Sequence, residues 1–161
     1  MFLQKFESAD APAAVGNYSP AVKLGDFVYV SGQIGIDPAT GEFADGVEGQ
    51  AKQIMQNIAN ILAAKDLKMH HIVKTTIFLE NVEDFGVVDK IYGEAFDAAY
   101  PYPARSCVAV DKLPKGAKLE IECLVIDTLA YEKQMAGGCS GCSSEGNCSD
   151  AENGGCSGCQ Q

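Results

Sequence analysis

The sequence is poor in positive charge. Its 12 lysines and arginines face 22 aspartates and glutamates, a formal net charge of −10. A protein that grips a phosphate backbone needs a basic face, so general nucleic-acid binding is not expected. The deficit leaves room for a small anionic ligand, because one arginine can dominate a pocket. Long apolar runs are also lacking. None approaches the roughly 20 residues of a membrane span, and Lys5 and Glu7 interrupt the apolar start, so neither a span nor a secretory leader is read. Together these features predict a soluble cytoplasmic protein. Phosphate-cradling GxxxxGK[ST], GxGxxG and HExxH patterns are missing, as is a GxSxG elbow. Residues 1–130 show no cofactor fingerprint and no metal cluster, so any catalysis there is expected to be cofactor-free. Histidine is scarce as well. His70 and His71 sit together in a turn before a strand, where they are expected to face solvent, and no motif pairs either with Cys107.

What is present suits one domain of ordinary size, since 161 residues are too few for two sizeable ones. Phe27, Val28, Tyr29, Val30 and Ser31 form a β-rich run ending at Gly32, followed by a loop punctuated by Pro38, Gly41 and Gly46. Over residues 47–65, Ala51, Ile54, Met55, Ile58 and Leu62 recur at three- and four-residue spacing, which predicts a helix packed on a sheet. Val73, Thr75, Thr76, Ile77 and Phe78 give residues 72–79 the chemistry of a strand.

Asn81 is placed to cap a second helix. Its stripe runs through Phe85, Val88, Tyr92, Ala95, Phe96 and Ala99, and Pro101 and Pro103 end it. In the last strand Leu119, Ile121, Cys123 and Val125 face one way, and Glu120, Glu122, Leu124 and Ile126 the other. The order is strands, helix, strand, helix, two strands. This predicts an α+β sheet over residues 1–130 with both helices on one face. The other face needs cover, and a homo-oligomer supplies it economically. Val87 and Ile91, off the main stripe of the second helix, are expected to add apolar surface for that contact.

The chemistry concentrates between residues 103 and 122. Arg105 and Cys107 are two apart and share a strand face; Glu120 and Glu122 do the same on the next strand. The guanidinium of Arg105 can hold a carboxylate bidentately, or it can simply pair with Glu120 or Glu122. Glu120 can take a proton from water and pass one to a leaving amine. Cys107 reads as a small pocket wall rather than a nucleophile.

Several separated segments resemble the RidA/YjgF family of reactive-imine deaminases, in the same order. They are Ala11-Pro12-Ala13-Ala14-Val15-Gly16-Asn17-Tyr18-Ser19-Pro20-Ala21, Val30-Ser31-Gly32-Gln33-Ile34 with Asp37-Pro38-Ala39-Thr40-Gly41, and Val73-Lys74-Thr75-Thr76-Ile77-Phe78-Leu79. Pro103-Ala104-Arg105-Ser106-Cys107 follows, then Leu113-Pro114-Lys115-Gly116 through Glu120-Ile121-Glu122. The resemblance covers roughly residues 1–127. It implies a chorismate-mutase-like, YjgF-type fold assembled as a homotrimer with pockets at the subunit interfaces. It also implies hydrolysis of 2-enamines and 2-imines, by-products of pyridoxal-phosphate enzymes, to 2-oxo acids and ammonia, that is, 2-iminobutanoate/2-iminopropanoate deaminase activity. In that reading Arg105 binds the substrate carboxylate and Glu120 positions or activates water. Tyr18, Ser31, Gly32 and Cys107 line the pocket, Tyr18 from a neighbouring subunit. The sequence departs from the pattern at Asp89, where active members often carry asparagine. The alternative is a non-enzymatic trimer that binds small carboxylates as a regulator.

Beyond Leu129 the apolar pattern stops. Residues 131–161 carry Cys139, Cys142, Cys148, Cys156 and Cys159 among glycine and serine, with two near-repeats of the form GGCSGC. The segment is too polar to bury a core. Its C-x2-C-x13-C-x2-C spacing suits zinc or an iron–sulfur cluster; a redox-sensitive thiol tail and structural disulfides are the other readings. The resemblance does not extend to it.

Overall fold

A computed structural model describes residues 3–6, 8–14 and 16–136. Its elements are β1 (Gln4–Phe6), β2 (Ala21–Leu24), β3 (Phe27–Ile34), α1 (Gly46–Ala63), β4 (Ile72–Leu79), α2 (Phe85–Glu94), β5 (Ala104–Ala109), β6 (Leu119–Ile126) and α3 (Leu129–Ala136). One mixed sheet has the order β1-β2-β3-β6-β4-β5. Among the described strands the β4–β5 pair is parallel and the other pairs are antiparallel.

The alternation read in the sequence sets which face is covered. Val28 and Val30 on β3, Thr75 and Ile77 on β4, and Ile121, Cys123 and Val125 on β6 point to one side and are buried. There they meet Ile54, Ile58, Ile61 and Leu62 of α1 and Val88 and Tyr92 of α2. Each of the valines, isoleucines and leucines among them contributes about 1.5–3 kcal/mol on leaving water. Among the buried polar groups, Thr75 and Tyr92 satisfy each other: Thr75 Oγ1 and Tyr92 Oη lie 2.9 Å apart. Phe27, Tyr29 and Val108, on the opposite side, remain exposed.

Several expectations are corrected. Three helices are present among the described residues, not two, because α3 follows β6. Its start is fixed by polar contacts, with Leu129 N–H donating to Asp127 Oδ1 and Tyr131 Oη to Asp26, so no apolar period announced it. The second helix stops at Glu94 rather than running on to the prolines. The Asp97 carboxylate instead accepts the Ala99 N–H at 2.9 Å and starts a turn. Asn81 caps the short 3₁₀ turn Val82–Asp84 that leads into α2. Ile91 is buried in the chain's own core, while Val87 is exposed. His71 is also buried: its Nδ1 accepts the Lys68 N–H and its Nε2 contacts Glu132 at 3.0 Å. Finally, β5 and β6 are consecutive but not neighbours, since β4 lies between them. The five cysteines proposed as metal ligands fall outside the described residues.

Candidate active site

Glu120 sits over an irregularity in β3. The β3–β6 register runs from Val30↔Cys123 to Gln33↔Ile121, so Ser31 and Gly32 together oppose one residue of β6. Such a bulge re-aims the backbone. It is held from behind: Ser31 N–H donates to Pro20 O at 2.9 Å, and Ser31 Oγ to Ser19 O at 2.7 Å. These bonds tie the Tyr18 segment to the bulge. A Cβ on Gly32 would fall on Glu120 Oε1, with the carboxyl carbon 2.6 Å away; the missing side chain is what lets the carboxylate lie flat on β3. The resulting cleft of about 400 Å³ is lined by Tyr18, Ser31, Gly32, Ile34, Lys115 and Glu120. Burial, with a smaller contribution from the Glu122 charge, holds the Glu120 carboxyl above its ordinary value of 4.5.

Lys115 also lines this cleft. Its signal in the sequence is the Pro-Lys-Gly turn, where Lys115 (φ 57°) and Gly116 (φ 76°) both take the left-handed conformation. That backbone places the turn beside Glu120.

Arg105 belongs to a different place. It lies opposite Thr75 on β4, and Thr75 lies opposite Cys123 on β6. Arg105 and Cys107 therefore share the helix-covered face, whereas Glu120, opposite Phe78, is on the open face. Arg105 pairs with neither Glu120 nor Glu122, the alternative to a ligand carboxylate; its ion pair is with Asp89, from Nη1 to Oδ1 at 2.6 Å. The guanidinium packs over the rings of Tyr92 at 4.9 Å and Phe85 at 5.4 Å. A cleft of about 330 Å³ opens there, bounded by Asp89, Tyr92, Gly93, Tyr102, Pro103 and Arg105.

Cys107 is half-buried against the core. Burial raises its thiol pKa despite the nearby Arg105 charge, so it is no ready thiolate. One chain thus presents two separate clusters: Tyr18, Ser31, Gly32 and Glu120 around one cleft, Arg105 and Cys107 on the other face.

The order of these segments can be compared with known proteins. Residues 8–127 match the model of the family described as Endoribonuclease L-PSP, which contains the RidA and YjgF proteins. This chain belongs to that family. The 2-iminobutanoate/2-iminopropanoate deaminase of Salmonella typhimurium is 46% identical over 119 residues, covering 73% of this chain and 92% of that enzyme. Among solved structures, Escherichia coli TdcF with bound serine superimposes with a TM-score of 0.74 at 40% identity, covering 76% of this chain and 98% of that one. RidA from the Antarctic bacterium Psychrobacter sp. PAMC 21119 gives a TM-score of 0.73 at 41% identity, covering 76% and 98%. The YjgF-like fold is thereby shown. Both clusters lie within the matched region, and residues 131–161 lie beyond it.

Proposed function

We propose that the protein hydrolyses small 2-imino acids and their enamine tautomers to 2-oxo acids and ammonia, in the cytoplasm. The observation that carries this reading is Glu120, a partly buried carboxyl with a raised pKa, lying against Gly32 at the edge of a cleft, in a chain 46% identical to a protein of that name. Arg105 binds the substrate carboxylate. Glu120 takes a proton from water as the oxygen adds to the C=N carbon. It then returns a proton to the departing nitrogen. Water and these two side chains suffice, and no cofactor enters the reaction. The family's ribonuclease description fits this chain less well, because a net charge of −10 opposes RNA binding.

The complete pocket is proposed to form between copies of the chain in a homotrimer. Glu120, Gly32, Ser31 and Tyr18 come from one copy, and Arg105 and Cys107 from the next. The exposed Phe27, Tyr29 and Val108 on the open face support such an assembly. Zinc or an iron–sulfur cluster on Cys139, Cys142, Cys148, Cys156 and Cys159 is a separate part of the proposal. Metal analysis of the full chain before and after thiol alkylation tests it.

To test the activity, 2-aminoacrylate is generated by a serine dehydratase and trapped with semicarbazide. Added protein should divert the imine and lower the semicarbazone yield, and Arg105→Ala should abolish the effect. An unchanged yield with wild type would overturn the reading. Tight 2-oxobutanoate binding without turnover would favour the regulatory trimer instead.

A further inference from the structure

Within that reading, we infer that Asp89 is a specificity-determining residue: it tunes Arg105 to accept a zwitterionic iminium acid and to reject the plain carboxylate left after hydrolysis. The geometry begins with the 2.6 Å contact between Arg105 Nη1 and Asp89 Oδ1. Arg105 is held as well as paired. Its guanidinium lies against Tyr92 and Phe85, and the Tyr92 ring is itself fixed by the buried hydroxyl contact to Thr75. The arginine side chain is 24% exposed and the aspartate 48%, so both reach the cleft they help to line. A guanidinium has five donors in a planar fork. Asp89 occupies one edge and leaves others for a ligand.

The ligand therefore meets two opposite charges side by side, not a lone cation. A simple monocarboxylate gains the attraction of Arg105 but is repelled by Asp89 almost as closely. It must displace Asp89 or bind beside it. A 2-iminium acid differs, because its cationic nitrogen and its carboxylate are on adjacent carbons. Its carboxylate can take the open edge of Arg105 while its C=NH2⁺ group faces Asp89.

Hydrolysis removes that match. The overall step is R–C(=NH2⁺)–COO⁻ + H2O → R–C(=O)–COO⁻ + NH4⁺, balanced in atoms and charge. The nitrogen leaves with its positive charge, and a 2-oxo acid remains beside an unchanged aspartate. Asp89 therefore favours substrate over product, a difference-of-affinities device, and it speeds emptying of the site.

The test compares the full-length wild type with Asp89→Asn, which keeps the shape and removes the charge. Asp89→Ala is the second variant. Calorimetry with 2-oxobutanoate should show at least tenfold tighter binding to both variants. In the imine assay, the product inhibition constant should fall by a similar factor while KM for the imine rises. Equal 2-oxobutanoate affinity in wild type and both variants would overturn the inference. So would weaker binding in the variants, which would make Asp89 only a prop for Arg105. Absence of turnover in every protein would defeat the proposed deaminase activity, while the calorimetric contrast would still decide the role of Asp89.

Discussion

Glu120 of β6 rests its carboxylate on the space where Gly32 of β3 would carry a side chain. The bulge and the glycine thus act together: one turns the backbone toward β6, the other leaves room for the acid. Gly32→Ala should push the carboxylate aside by about an ångström, and misplacement on that scale costs on the order of 10²-fold. The circular dichroism spectrum should stay that of the wild type while kcat falls. Full activity in the alanine variant would show that the contact does not position Glu120.

The raised pKa of Glu120 has a kinetic and a thermodynamic signature. As a base it must be ionised, so the acid limb of kcat/KM should lie above the ordinary carboxyl value of 4.5 and be absent from the residual activity of Glu120→Gln. That variant should lose roughly 10²–10⁴-fold in rate. Stability moves in the other direction. A folded pKa above the unfolded one means that the ionised group destabilises the native state, and the penalty fades as pH falls through the folded value. Glu120→Gln should therefore be more stable than wild type at neutral pH, and the gap should close on acidification. Denaturant titrations at several pH values measure it.

Gly35 is a packing constraint rather than a catalytic one. A Cβ there would stand 2.5 Å from Gln50 Cα in α1, and backbone cannot yield cheaply. The buried Gln50 also accepts the Lys118 N–H at 2.9 Å through Oε1, so displacing it frees a backbone donor. Gly35→Ala should lower stability by about 1–3 kcal/mol, the range of overpacked cores, read as an earlier denaturant midpoint.

Tyr92→Phe isolates the buried hydroxyl pair. The ring under Arg105 is kept, and Thr75 loses its partner at 1% exposure. A stranded buried hydroxyl costs about 1–3 kcal/mol. Stability should fall by that order, with KM for the imine shifting by less than about threefold.

Much of the covered face was legible in the sequence, because burial on one side imposes a period. The stripe Ala51, Ile54, Met55, Ile58 and Leu62 became α1, and the alternation from Leu119 to Ile126 became β6. Three residues of β1 and four of β2 are too short to carry such a pattern, and polar contacts begin α3. The candidate site can be read from the sequence as residue types but not as an arrangement. Proximity in sequence placed Arg105 near Glu120, yet the insertion of β4 between their strands and the two-residue alternation put them on opposite faces. The partner of Arg105 came from α2 instead, as Asp89. No spacing rule within residues 103–122 could have revealed that pair.

The separation of Arg105 from Glu120 on opposite faces of the sheet leads to one decisive measurement. Arg105→Ala and Glu120→Gln proteins, each at most weakly active alone, are unfolded together, refolded as a 1:1 mixture and assayed for imine hydrolysis. If each pocket takes Arg105 from one copy and Glu120 from the next, roughly a quarter of all interfaces in the mixture should carry both native residues, and about that fraction of wild-type activity should return. A mixture no more active than its parents, although the subunits have demonstrably exchanged, would contradict a pocket built between copies.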